Sequence, residues 1–554
     1  MARLARWPRT AAFLIYAALA FVFFGLPVAA HPSSECICYP GSPDPQQFMW
    51  ALVWWPHALA HGLDPIHSHA LFAPEGVNLA SGQLIPAASV VLAPITAAAG
   101  PVAAYNLLGV LAPALAAFTA FLLCRRITRR WLPSLVGGYL FGFSSYLLGQ
   151  LFGHPHLTLV FLLPVMVHLV LRRLDGELGT GRFVAAMAAC VVGQALLSPE
   201  IAVMFSVFGA AALALGALVF DTRRRAIVGL VRPLAIAYAI GAVVLLPYLI
   251  PTLQAGNPVE QVVTRKFSTD LLNFLFPTPI TRIGRRWFAE LGLTYRAELD
   301  ESGAYLGLPL ILILVRLAVA DWRRAAVRYL VGLLALLGIA TLGARLQIAG
   351  HSTIPMPWAA FDQLPALEAA LPARFAVYIA LVAAVAASLW LAWSRESVAW
   401  RWVLGVLAVA ATVPNLAADY WHGPARIPRY FTDGAWRADL RSNDVALLLP
   451  FGFRGNGMAW QAQTRIGFKQ AGGYMSAAIV PPGYRGELGR VAQPAANAPP
   501  DPVRLRAFLA NHRVKVVILD PTHDDGWLPV LARAGLTPHR RDGVLVYPVS
   551  GARR

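Results

Sequence analysis

Acidic residues are scarce in this chain. Aspartate and glutamate number 28 in 554 residues against 46 lysines and arginines, and charge of either sign makes up only 13%. That is about half the share in an ordinary soluble domain, too little to cover a large water-facing surface. Cysteine is scarcer still, at four, which excludes a disulfide-framed secreted scaffold. Cys124 and Cys190 fall inside apolar stretches, where cysteine acts as a small buried hydrophobe. Cys36 and Cys38 are too close in sequence for an unstrained disulfide ring, so no bridge is expected there. No Cys/His partner at metal spacing follows them, which leaves zinc without a ligand set. The apolar part has no internal repeat, and low complexity is confined to the Pro/Ala stretch from Gln493 to Pro502.

What the chain does have is apolar length. Hydrophobic residues make up 57% of it and the mean hydropathy is +0.57, so lipid is the expected solvent for most of it. The net charge of +18 raises the question of nucleic acid. The arginines, however, sit in short runs between apolar stretches rather than along one face, as topology signals do and phosphate-reading surfaces do not. Arg3, Arg6 and Arg9 precede the first span, at about 11–30. Further clusters at Arg125-Arg126 with Arg129-Arg130, Arg172-Arg173, Arg223 to Arg225, Arg323-Arg324, and Arg395 with Arg401 recur after every second span. Placing all of them in the cytoplasm gives ten further spans, near 103–124, 131–150, 157–171, 182–197, 201–220, 233–250, 303–320, 328–345, 375–393 and 400–417. The total is about eleven, ending outside.

The stretch 84–99 is apolar but short, and Pro86 and Pro94 interrupt it. It is expected to lie at the outer interface or to re-enter under protein cover. Val28-Ala29-Ala30 resembles a signal-peptidase site, and cleavage there would leave the later topology unchanged. From residue 422 polar residues return, and the strand-like runs Val445 to Pro450 and Val514 to Asp520 flank a helical Pro502 to Asn511. The expected fold is an α-helical polytopic membrane domain over 1–421, with a large outer loop at 31–100, followed by a soluble α/β domain over 422–554 outside the membrane.

The order of these features resembles the GT-C superfamily of integral-membrane glycosyltransferases, which use polyprenyl-phosphate sugars. In that superfamily the first outer loop follows the first helix, carries an early aspartate, and contains two helices lying along the membrane. Here the loop runs from His31 to about Gly100, with Asp44 in Gly41-Ser-Pro-Asp-Pro45 and a Trp-rich helix at Gln46 to Trp55. The resemblance covers roughly residues 1 to 420 and implies a sugar transferase at the outer face of the cytoplasmic membrane. Its implied partners are a polyprenyl-phosphate-linked donor, a glycan, lipid or protein acceptor, and membrane lipids, with no nucleic acid. Many relatives carry a second acidic motif in a later outer loop. Glu200, in Ser198-Pro-Glu200, and Glu301 are the candidates for it, so a divalent cation is the one cofactor left open.

Asp44 has two readings. Asp before Pro is a helix N-cap with proline at the first helical position. A carboxylate just outside the membrane is also placed to take the proton of an attacking hydroxyl, and one base suffices because a phosphate leaving group needs no proton donor. The tryptophans of 46–55 read as an interfacial belt, or as a surface for a lipid tail or sugar. His57 and His61, spaced i, i+4, lack a third metal ligand and read as a satisfied pair. His154 and His156 share that reading, or donate to a phosphate. Lys266, Arg282, Arg285 and Arg286 place basic charge in an outer loop where the positive-inside rule disfavours it. With Arg374 they are candidates for holding the donor phosphate, against the plainer reading of solvated loop charge. A transporter or lipid flippase wants ionisable groups near the midplane or repeated halves, and neither is evident. A non-catalytic assembly protein, with Asp44 only a cap, is the third reading.

Overall fold

The protein is described by a computed structural model over residues 7–80, 82, 84–255, 266–285, 288–362, 364, 367, 370–475, 479–484, 501–524 and 526–549. It divides into two compact units. The first comprises Met1–Ala29, Leu107–Leu246 and Val259–Trp421, and the second Ala30–Asn106, Pro247–Pro258 and His422–Arg554. The break after Trp421 coincides with the change in composition at 422. The first outer loop differs from expectation, because it groups with the C-terminal segment rather than with the membrane helices.

A helix underlies each of the eleven expected spans. Among the described residues, seven helices are long and apolar enough to cross a membrane, from Arg9–Val28 to Pro372–Trp393. The other four positions hold shorter helices: Trp131–Gly142, Leu308–Asp321, Ala325–Thr341 and Val398–Ala411. The first of these stops early because Ser144 starts a new helix, Ser145–Gln150, and accepts from the Leu147 amide, a side-chain cap that competes with helix continuation. The apolar 84–99 stretch forms a short helix, Pro86–Val91, and then the first arm of Ala93–Thr128, which bends at Gly100, φ 86°. Glycine takes that backbone at no steric cost, and Pro101 follows it.

In the second unit the C-terminal segment builds a five-stranded sheet in the order His539–Arg541, Val544–Pro548, Val514–Leu519, Val445–Leu449, Lys469–Gln470. The last three strands pair in parallel and the first two join as antiparallel neighbours. Val445–Leu449 is buried along its whole length, as a central parallel strand covered on both faces should be.

The Trp-rich helix extends over Pro45–Ala60 and is a core element. Trp50, Trp54 and Trp55 are buried with Leu447, Met458 and Val517, and Trp50 stacks on Trp54 with ring centres 5.2 Å apart. Each indole nitrogen finds an acceptor: Gln461 Oε1 at 2.7 Å, Pro65 O at 2.9 Å and Leu84 O at 3.1 Å. The expected interfacial belt is therefore corrected. Burying three indoles with satisfied N–H groups contributes more than leaving them at a surface, roughly several kcal/mol each from area alone.

A second correction concerns Cys36 and Cys38, which are joined by a disulfide. Asn106 organises the bend, accepting from the Ile37 amide and donating to the carbonyls of Pro32 and Glu35. It leaves the two Cα atoms 5.4 Å apart, inside the range a disulfide spans.

Candidate active site

In the second unit Asp44 stands immediately before Pro45, yet it does not cap the helix. Its backbone is already helical, φ −68° and ψ −37°, and its carboxylate accepts nothing from the helix amides. Capping needs an extended residue whose side chain folds back over the first turn. Here Asp44 Oδ1 accepts from the Tyr474 hydroxyl at 3.0 Å and from the Gln47 side-chain amide at 3.4 Å. Gln46 fastens the same turn to the C-terminal segment. It donates to the carbonyls of Gly455 and Gly452, and it accepts from the Met458 amide. Tyr474 reaches Asp44 along a Gly472-Gly473 approach, and a Cβ at Gly472 would stand 2.1 Å from the Phe451 ring.

A cleft of about 80 Å³ opens beside this turn, lined among others by Pro43, Pro45, Arg426, Phe453, Asp520 and His523. The His57 and His61 rings lie 4.2 Å apart, and His61 Nδ1 is 2.8 Å from the His57 carbonyl. Burial, then the neighbouring His61, holds the His57 imidazole below its ordinary pKa.

In the first unit the residues Glu200, Glu301, Arg374 and His154 come together. Gly303 packs so closely on the helix Ser145–Gln150 that a Cβ there would lie 2.6 Å from Tyr146 Cα, and a Cβ on Gly149 would lie 2.6 Å from the Asp300 carbonyl. That contact lets Gln150 donate to the Asp300 carbonyl at 2.9 Å and to Glu301 Oε2 at 3.3 Å. Glu301, only 4% exposed, then accepts from Arg374 Nε at 2.9 Å and from Nη2 at 2.6 Å. Arg374 Nη1 donates to Glu200 Oε2. Glu200 is in the first turn of Pro199–Val219, capped by Ser198. His154 Nδ1 lies 3.0 Å from Gln150 Oε1 and 3.6 Å from Asp300 Oδ2, and the His156 ring is edge-on to His154 at 5.9 Å.

This geometry corrects the phosphate reading of Arg374. Its three guanidinium nitrogens already donate to the Glu301 and Glu200 carboxylates, so no open fork faces a phosphate. One oxygen of each carboxylate, Glu301 Oε1 and Glu200 Oε2, is in turn occupied by the guanidinium. Among the described residues no three His, Cys, Asp or Glu side chains converge as a cation site. Lys266 pairs with Glu298 at 2.7 Å. Arg282 and Arg285 are exposed, with the Arg282 amide bonded to the Val413 carbonyl. Arg286 lies outside the described residues.

Asp300 was not singled out by sequence. Burial and the nearby Glu301 and Glu298 carboxylates push its pKa up to about 6 against the pull of His154. A folded-state value above the ordinary carboxylate value means the native state holds this proton after the unfolded chain has lost it. Stability from this group is therefore full below about pH 4 and is lost as pH rises through about 6, a change of order 1 to 3 kcal/mol. Thermal unfolding of wild type and Asp300→Asn from pH 4 to 7.5 checks this. Wild type is expected to lose stability over that range more steeply than the variant, and equal slopes would contradict it.

Solved structures that share this fold include two enzymes. The arabinofuranosyltransferase AftD from Mycobacteria matches with a TM-score of 0.57 at 16% identity, over 98% of this chain and 40% of that one. The oligosaccharyltransferase of Archaeoglobus fulgidus matches with a TM-score of 0.52 at 12% identity, over 98% of this chain and 74% of that one. The chain thus spans two-fifths of the mycobacterial enzyme's length. No functionally curated protein matches its sequence. The chain shares its fold with these two enzymes, and by a match over residues 13–413 it belongs to the family described as a domain of unknown function, DUF6311.

Proposed function

We propose that this protein is a membrane glycosyltransferase that moves a sugar from a polyprenyl-phosphate donor to an acceptor at the outer face of the cytoplasmic membrane. In this reading the chain crosses the membrane eleven times, and residues 31–100, 251–302, 346–372 and 418–554 face away from the cytoplasm. Asp44 is the general base. It takes the proton as the acceptor oxygen bonds to the anomeric carbon, while the bond from that carbon to the phosphate oxygen breaks and the phosphate leaves with the electron pair. The observation that carries the reading is that the Asp44 carboxylate is not used as a helix cap but is held by Tyr474 and Gln47. A donor on a lipid carrier is supported by the archaeal enzyme of the same fold, whose structure was solved with an inhibitory peptide and a dolichol-phosphate. Arg282, Arg285 and Arg286 are the proposed phosphate contacts.

The direct test is transfer of radiolabelled sugar from a panel of polyprenyl-phosphate sugars by purified protein in proteoliposomes, with membrane-extracted glycans and lipids as acceptors. Label moving from at least one donor to an acceptor is expected, and no transfer across the panel would contradict the reading.

Tyr474 is a positioning residue. Losing one hydrogen bond to a charged acceptor costs about 1.5 to 3 kcal/mol, so Tyr474→Phe is expected to lower kcat by about tenfold or more with donor KM little changed. A fall in donor affinity alone, with kcat intact, would remove Tyr474 from this role.

A further inference from the structure

The two elements that carry Asp44 and Tyr474 meet on one buried side chain. Gln461, on the helix Gly457–Gln463, is wholly enclosed. A primary amide offers two N–H donors and two acceptor lone pairs, and here all of them are used. Gln461 Oε1 accepts from Trp50 Nε1 at 2.7 Å and from Gln470 Nε2 at 2.8 Å. Its Nε2 donates to the Phe468 carbonyl at 2.7 Å and to the Ala70 carbonyl at 3.0 Å. Trp50 belongs to the helix that Asp44 precedes, so the first of these bonds fixes how that helix is turned about its axis. Gln470 ends the strand that leads into the Gly472-Gly473 approach, so the second fixes where the path to Tyr474 begins.

Backbone bonds extend the same join. The Gln470 amide donates to the Ala70 carbonyl at 2.9 Å, and the carbonyls of Gln470 and Gly472 accept from the amides of Ala73 and Phe72, both at 3.0 Å. Lys469–Gln470 is the last strand of the sheet, and residues 70–73 of the first outer loop cover its open edge. A leucine or methionine could fill the volume of Gln461 without desolvating an amide, so the core itself does not require glutamine. What the amide adds is direction, because a fully satisfied buried polar group specifies one arrangement of the parts it joins.

We infer that Gln461 is a positioning residue: its amide oxygen sets the register between the Asp44 helix and the Tyr474 strand, and with it the hydrogen bond from the Tyr474 hydroxyl to Asp44. Its role in turnover rests on the transferase reading, whereas the contact it sets does not.

The test therefore has a readout that needs no turnover. Full-length protein in nanodiscs, with fluorotyrosine in place of Tyr474, is followed by fluorine NMR, and Asp44→Ala marks where the resonance lies once the contact is gone. Gln461→Leu is expected to move the resonance most of the way to that position. In the transfer assay it should lower kcat by about tenfold with donor KM unchanged, as loss of one hydrogen bond to a charged acceptor does. Combined with Tyr474→Phe the two losses should not multiply, since both act through one contact; the double variant should be about as slow as the slower single one. Trp50→Phe and Gln470→Met each remove one donor to the Gln461 oxygen and should shift the resonance in the same direction by less. Melting temperatures are recorded alongside, and these two variants carry the test if Gln461→Leu does not fold. A resonance that stays at its wild-type position in the folded variants, or losses of kcat that multiply in the double variant, would overturn the inference. A resonance that moves as expected in a protein that transfers no sugar from any donor would contradict the transferase reading and leave the positioning of Tyr474 by Gln461 standing.

Discussion

Arg374→Ala is expected to be among the most damaging single changes to folding in this protein. It removes the cation that two buried carboxylates share, Glu200 on one side and Glu301 on the other. Breaking a buried ion cluster by deleting one partner costs about 3 to 5 kcal/mol, because the remaining charge has neither water nor a partner. Here two like charges would be left together, and Glu200 Oε1 is already buried without a hydrogen-bond partner among the described residues. Lysine should not rescue, since one ammonium cannot reproduce the three nitrogens that Arg374 directs at two acceptors. Replacing all three residues with apolar side chains of similar volume should restore much of the stability, because the cost lies in the orphaned charges. Melting temperatures of the single and triple variants in detergent decide it. A single alanine variant as stable as wild type would show that the cluster is not a structural unit.

The helices of the membrane part were legible because apolar length is a direct consequence of crossing lipid. Each expected span has a helix beneath it, and Pro502–Asn511 and Val514–Leu519 lie where the periodicity placed them. What escaped sequence reasoning depended on contacts distant along the chain. Trp50, Trp54 and Trp55 look like a membrane belt until Gln461, more than four hundred positions away, is seen to accept from Trp50. Asp44-Pro45 carries the local signature of a cap, and only the position of Tyr474 explains why the carboxylate turns elsewhere. Arg374 stands out in the sequence as a candidate for the donor phosphate, but its partners come from two other segments of the chain. Asp300, beside Glu301 in an acid-poor chain, left the one signal that was available and unused: two adjacent carboxylates seldom share a buried loop without perturbing each other. Tyr474 left no comparable signal beyond its Gly-Gly approach.

Asp44→Asn is expected to lower turnover by roughly 10² to 10⁴-fold, the range by which a positioned general base contributes. The structure sharpens the comparison. Because Asp44 makes no capping bond, asparagine has no cap to lose or restore. It can still accept from Tyr474 through its amide oxygen, so folding should be unaffected. Donor affinity should persist as well, since the lost group acts on the acceptor hydroxyl rather than on the phosphate. A fall in kcat at unchanged donor affinity is the signature of an interaction made in the transition state.

The measurement that bears most directly on the central claim is single-turnover sugar transfer from a polyprenyl-phosphate donor by wild type and Asp44→Asn side by side in the same nanodiscs, with melting temperatures taken on the same samples. The account predicts matched melting temperatures, matched donor binding and a rate at least a hundredfold slower in the variant. A well-folded Asp44→Asn protein that transfers sugar at close to the wild-type rate would contradict it.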